Sequence, residues 1–166
     1  MALTIETLEE SKWREGKIFT FLHSNDLLAD LAIENFVICV GSKNVTLKSI
    51  NIEGDAETLT WKAYSNSEFD EGTGVLLNPI PRNIAANTNP DMLIAVNPTI
   101  TKEGSPFFDP AIQLVGQVAA GNRSFLTESI IGSPFTLLAN HCYTIEITNN
   151  SGSDVKYATD FELWNE

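Results

Sequence analysis

The residues with which this chain could do chemistry are two histidines, His23 and His141, two cysteines, Cys39 and Cys142, and a few clustered carboxylates. A zinc site needs about four nitrogen or sulfur ligands in a tetrahedron, and no His-x-x-x-His or Cys-x-x-Cys spacing occurs. His141 and Cys142 are adjacent, so in a strand they face opposite ways; a loop-edge histidine beside a partly buried thiol is the better reading. Nucleophilic hydrolysis has its usual marker in Gly-x-Ser-x-Gly, which is absent. Gly104-Ser105-Pro106 and Gly132-Ser133-Pro134 read instead as turns entering strands. Gly72-Thr73-Gly74 starts a Gly-x-Gly, but Leu77 stands where a phosphate-cradling loop has its third glycine. The acidic runs Glu53, Asp55, Glu57 and Glu68, Asp70, Glu71 lack EF-hand spacing and read as solvated loop charge. A carboxylate pair of the glycosidase kind is defined by a separation that sequence does not give. The chain is therefore expected to be non-enzymatic and to hold no metal or cofactor.

Composition sets the class of partner. The 166 residues carry 10 Lys plus Arg against 22 Asp plus Glu, a net charge of −12 with a pI near 4.4. Nucleic-acid binding draws on Lys and Arg neutralising phosphates, and anionic lipid attracts basic segments, so both partners are excluded. The 15 Asn, 15 Thr and 12 Ser, against 19% charged residues, favour strands and turns over helices. No apolar run approaches the roughly 20 residues that span a bilayer, and residues 1–18 have no apolar core of a signal peptide. The expected site of synthesis is the cytoplasm, where two free thiols are the preferred state of Cys39 and Cys142; a single long-range bridge is the alternative.

These residues must be positioned by strands. Residues 1–16 read as an N-terminal arm or short helix, and 17–166 as one β-sandwich domain. Lys17–His23 is a first strand, and Ser24–Ala32 could start one helical turn. Asn35–Val40 is apolar on both faces, as a central strand should be. Between Asn44 and Ile52 the apolar phase switches, which indicates a β-bulge or bend near Ser49. Thr58–Tyr64 alternates as a half-buried strand, and Met92–Val96 and Ile112–Val118 follow, the last closed by a turn at Gly121-Asn122. Residues 65–91, with three prolines and five asparagines, read as a long Pro/Asn-rich loop serving as an interaction element. At the end, Tyr143–Thr148 and Val155–Trp164 read as a hairpin closed by Asn149–Asp154. Short strands at regular spacing indicate an all-β sandwich, a jelly roll or related Greek key.

Trp61, Phe36, Phe161 and Tyr143 fall on apolar faces and are assigned to the core. Trp13, Phe107, Phe108 and Trp164 lie in loops or near the termini and are candidates for an interface.

Several pieces carry a likeness to a known group: Gly16-Lys17-Ile18-Phe19 with His23-Ser24; Pro81-Arg82-Asn83 with Asn87 and Asn89; Asn97-Pro98-Thr99-Ile100-Thr101 with Gly104; and Leu138-Ala139-Asn140 through Tyr143-Thr144-Ile145 and Thr148–Ser153 to the closing Phe161-Glu162-Leu163-Trp164. In these the chain resembles the head decoration, or capsid-stabilising, β-proteins of tailed bacteriophages. The resemblance implies a non-enzymatic virion protein on the outer surface of a phage capsid, with the major capsid protein and its own copies in a homotrimer as partners. The partner-binding residues it suggests, together with the exposed aromatics, are Trp13, Arg14, Arg82, Asn83, Phe107 and Phe108. The rival expectation is a carbohydrate- or receptor-binding module of a tail fibre, which would present an exposed Trp or Tyr flanked by Asn and Asp.

Overall fold

A computed structural model describes residues 7–54, 58–86, 88–115, 126–129 and 134–166. The expected turn at Gly121-Asn122, the serine of Gly132-Ser133-Pro134 and the tail of the Ile112–Val118 strand fall wholly or partly outside these residues.

One helix, α1 (Leu8–Arg14), precedes an all-β chain: β1 (Ile18–Leu28), β2 (Ile33–Val40), β3 (Val45–Gly54), β4 (Thr58–Ser65), β5 (Glu68–Phe69), β6 (Val75–Leu76), β7 (Ile80–Pro81), β8 (Met92–Val96), β9 (Ile100–Lys102), β10 (Ser105–Val115), β11 (Leu126–Ser129), β12 (Phe135–Leu137), β13 (Cys142–Asn149) and β14 (Val155–Asn165). The first sheet has the order β11-β3-β14-β1-β7, with β12 also on β3, and the second has the order β10-β4-β13-β2-β8-β6. A small ribbon pairs β5 with β9. All of these pairings are antiparallel, and among the described strands no two that follow each other in the chain are paired. The segments β1 to β4 alternate between the sheets, so each connection crosses the sandwich.

The core follows from the period-2 patterns. Phe19, Phe21, Ile50, Ile52, Phe161 and Leu163 of the first sheet meet Phe36, Ile38, Leu59, Trp61, Ile145 and Ile147 of the second, all closed to solvent. Each large apolar side chain so buried contributes about 1.5–3 kcal/mol of transfer free energy. Phe36 and Phe161 stack across the interface with centroids 5.1 Å apart. The expected bulge is present: Glu162 pairs with Ser49 but Leu163 with Leu47, leaving Lys48 as the extra residue. That slip keeps Val45 and Leu47, and then Ile50 and Ile52, on the inner face.

Four expectations are corrected. Ser24–Ala32 starts no helix: β1 continues to Leu28, because its inward polar positions His23 and Asn25 face Glu34, Asn25 Nδ2 donating to it at 3.0 Å and His23 Nε2 standing 3.3 Å away. The C-terminal hairpin is absent, since β13 lies between β2 and β4 while β14 lies between β1 and β3. A five-residue connection, 150–154, is long enough to cross the roughly 10 Å between packed sheets. The fully buried Asn149 organises it, donating to Leu28 O at 2.9 Å and Ser153 O at 2.7 Å and accepting from Ser151 N at 3.0 Å. Cys39 and Cys142 are joined in a disulfide rather than free, because the β2–β13 register sets them directly opposite each other. Trp164 is buried, as described below, and not at an interface. Residues 65–91 contribute the two-residue strands β5, β6 and β7 and a 3-10 turn at Ile84–Ala86; β6 ends the second sheet, β7 ends the first, and β5 pairs with β9 in the small ribbon.

Candidate docking face

Helix α1 is short but fully capped. Thr7 accepts from Glu10 N at 3.2 Å while Glu10 accepts from Thr7 N at 2.8 Å, a reciprocal capping box. At the other end Gly16 N donates to Trp13 O and Lys17 N to Lys12 O, at 3.0 and 2.9 Å, a Schellman closure that requires the positive φ of Gly16. A Cβ on Gly16 would also overlap the Ala86 side chain, so this glycine lets the helix end and the 84–88 segment touch. Thr88 Oγ1 donates to Gly16 O at the same junction.

The helix lies on the outer face of the first sheet. Trp13 Nε1 donates to Arg82 O at 3.2 Å, and Asn83 Nδ2 donates to Arg14 O at 3.2 Å. Four of the six sequence-derived residues, Trp13, Arg14, Arg82 and Asn83, thus converge although 67 residues separate the two pairs. Phe107 and Phe108 do not join them. Their backbone is in β10, at the far edge of the second sheet, and their side chains lie outside the described residues.

Beneath the helix is an ionic network that the sequence did not advertise. The Arg82 guanidinium pairs with Glu162, which also meets Lys48 Nζ at 3.0 Å; Lys48 reaches Glu9 at 2.7 Å. Lys48 Nζ sits 4.9 Å from the centroid of Trp164, whose Nε1 donates to Glu162 at 3.3 Å. Burial by itself raises the Glu162 carboxyl, but Lys48, Arg82 and Trp164 outweigh it and hold the group below the usual carboxylate range. Lys48 is likewise pushed up by Glu9 and Glu162 against the lowering effect of its own burial. Lys48 takes this position because it is the bulge residue of β3. Trp164, a strand residue on the outer face, is covered by this assembly.

Around this network the apolar side chains are open. Trp13 is half exposed, Leu8 and Ile84 are 66% and 85% exposed, and Val75, Leu76 and Ile80 on the rim strands are also exposed. The rim strands β6 and β7 end their respective sheets on the same side, so the exposed residues border one edge of the sandwich.

A second constellation is closed and structural. Glu34, 3% exposed, accepts from the Tyr157 hydroxyl, from Asn25 Nδ2 at 3.0 Å and from Asn97 Nδ2 at 3.0 Å. His23 Nε2 stands 3.3 Å from the same carboxylate, misaligned for a hydrogen bond. Burial raises Glu34, yet His23, Tyr157 and Asn25 prevail and bring it to about 2. Tyr157 is pushed far up by burial and by Glu34. A carboxylate saturated by donors inside the core orders the strands that carry them and offers no open position to a substrate.

Of the acidic runs, Glu68 pairs with Lys102 at 2.7 Å and Asp70 Oδ1 accepts from Gly72 N at 3.0 Å, so these charges are spent within the loop. Asp55 and Glu57 lie outside the described residues. His141 Nδ1 contacts Ala139 O at 2.7 Å. Another surface feature among the described residues is a groove of about 380 Å3 on the outer face of the first sheet, lined by Leu22, Ser24, Asn51, Glu53, Ala158 and Asp160 together with His23 and Thr159. No protein-family model matches the chain, and no curated protein is significantly similar to it.

Proposed function

We propose that this chain is a non-enzymatic virion protein that decorates and stabilises the outer surface of a tailed-phage capsid, assembling as a homotrimer and contacting the major capsid protein. The observation that carries the reading is the edge where α1 and the Arg82-Asn83 turn are locked together beside Leu8, Trp13, Val75, Leu76, Ile80 and Ile84. Exposed apolar side chains held on a rigid, internally satisfied framework are what a permanent protein contact buries. The strand order supports reading the sandwich as a jelly roll, because successive strands β1 to β4 alternate between the sheets. A charge of −12 suits a shell exterior and a partner surface that is locally basic.

The tail-fibre alternative draws on the Leu22–Asp160 groove, whose Asn51, Asp160 and Glu53 could hold sugar hydroxyls. No Trp or Tyr is among its lining residues, so the stacking platform expected of a sugar site is missing from it. Light scattering of the purified full chain separates the readings. The proposal expects a trimer mass of about 55 kDa, three times the 18.2 kDa chain. A strict monomer that binds glycans would overturn it.

A further inference from the structure

The connection between β1 and β2, residues 29–32, holds a leucine where the backbone suits none. Among the described residues four positions other than glycine have positive φ; three are asparagine, Asn66, Asn97 and Asn140, and the fourth is Leu31, with φ 60°. Left-handed backbone is disfavoured for a bulky residue, whereas asparagine tolerates it. Hydrogen bonds with the 149–154 segment hold the turn in place: Leu31 N donates to Asn149 O at 2.8 Å, Asn149 N to Ala32 O at 3.0 Å, and Gly152 N to Asp30 Oδ1 at 3.0 Å. The leucine side chain recovers nothing by burial, since it is 71% exposed. Leu27 and Ile33, on either side of the same turn, are exposed as well. Strain kept at an apolar residue that is rigidly held and open to solvent marks a contact made outside the chain.

Charge identifies the partner. At this corner stand Asp26, Asp30 and, next to the paired Leu28 and Val155, Asp154, all exposed, against one lysine, Lys156, which lies 4.0 Å from Asp26. A second corner facing the first would set six aspartates against two lysines. The other end of β1 is different. Of the nine Lys and Arg among the described residues, Lys12, Arg14, Lys17, Lys48 and Arg82 stand around α1 and the start of β1, where they offset Glu9, Glu10, Glu15 and Glu162 on a chain of net charge −12. Exposed Leu8, Trp13 and Ile84 lie beside them. Opposite charge and matching apolar surface therefore pair the corner with an α1 edge rather than with another corner. The 11 residues of β1, about 30 Å of strand, keep the two ends of one chain apart, so the corner meets an α1 edge only on another copy.

We propose that the β1–β2 corner of one copy, led by Leu31, docks on the α1 edge of the next, so that the homotrimer is a closed head-to-tail ring. The contact is heterologous: each copy offers two different faces, and such contacts generate rings when the rotation closes. The inference rests on the homotrimer reading above and assigns its two faces. In the contact Leu27, Leu31 and Ile33 cover Leu8, Trp13 and Ile84, while the aspartates of the corner meet Arg14 and Arg82, both exposed at the edge.

Light scattering of the full chain and of two variants tests this, at a concentration where the wild type is fully trimeric. Leu31→Asn suits the left-handed backbone and removes the apolar contact, so it runs as an 18.2 kDa monomer with the circular dichroism of the wild type. A leucine that served only the turn would instead give a trimer, or a misfolded chain. Ile84→Glu spoils the α1 edge and is monomeric too. Mixed one to one, the two variants form a dimer of about 36 kDa, twice the chain mass, because the intact corner of one fits the intact edge of the other and the ring cannot close. A trimeric Leu31→Asn protein, or a mixture that stays monomeric, overturns the head-to-tail contact and leaves the trimer standing; a monomeric wild type overturns both.

Discussion

Glu34→Gln is the substitution whose consequence can be worked furthest. The carboxyl, ordinarily near 4.5, titrates at about 2 in the fold. A group depressed by folding contributes stability that is complete above its unfolded pKa and is lost as pH falls through the folded one, here from about 4.5 down to about 2. At about 1.4 kcal/mol per unit, the gap of roughly 2.5 units corresponds to about 3 kcal/mol, an upper figure. Glutamine keeps the shape but replaces one acceptor oxygen by two N–H donors. It would face the Tyr157 hydroxyl, Asn25 and Asn97, all of which donate to Glu34. The expected loss at pH 7 is therefore about 2–4 kcal/mol. Urea unfolding of both proteins between pH 7 and pH 2 reads this directly. The difference between them should be full at pH 6–7 and shrink toward pH 2, since other carboxylates, Glu162 among them, titrate equally in both. A difference independent of pH across that window would refute the assignment of the charged form to Glu34.

Other perturbations separate the parts of the fold. Reduction, or Cys39→Ser with Cys142→Ser, opens a bridge that spans 103 residues and should lower stability by about 2–4 kcal/mol, seen as a lower urea midpoint with dithiothreitol than without. Gly16→Ala meets Ala86 and a positive φ; a loss of about 1–3 kcal/mol, with α1 amides exchanging faster by hydrogen–deuterium exchange, is expected. Glu162→Ala leaves Lys48 and Arg82 without their shared carboxylate and uncovers Trp164; tryptophan fluorescence should shift to the red and stability fall by about 1–3 kcal/mol. Deleting residues 1–16 should leave the sandwich folded by circular dichroism while weakening attachment to the capsid, and undiminished capsid affinity would count against the helix as a contact element.

Where the side-chain alternation was clean, the strands were legible. β2, β4, β8 and β13 come directly from it, and the phase switch indicated a bulge or bend near Ser49, one residue from its place at Lys48. Core aromatics were legible for the same reason. What a linear pattern does not carry is which strands pair, so Tyr143–Thr148 and Val155–Trp164 read as a hairpin although they lie in opposite sheets. Cys39 and Cys142 read as free thiols, with the bridge only as the alternative, for the same reason, since it is the β2–β13 register that sets the two residues opposite each other. The start of β1 was legible and its end was not, because His23 and Asn25 are inward-facing polar residues matched to Glu34, a partner invisible until the strands are placed. At the candidate docking face, Trp13 stood out as an aromatic near the terminus, and Arg14, Arg82 and Asn83 came with the family resemblance rather than from any pattern that joins the two pairs. Lys48, Glu9 and Glu162 were missed, as surface charges carry no mark of becoming buried until a helix covers them.

The central claim is decoration of a capsid exterior, and co-sedimentation of the full chain with undecorated heads of the parent phage tests it most directly. The account predicts saturable binding in multiples of three chains per site, abolished or strongly reduced by Ile84→Glu in a protein that remains folded. Absence of binding to intact heads at saturating protein, or binding to them that Ile84→Glu and the 1–16 deletion leave unchanged, would contradict it.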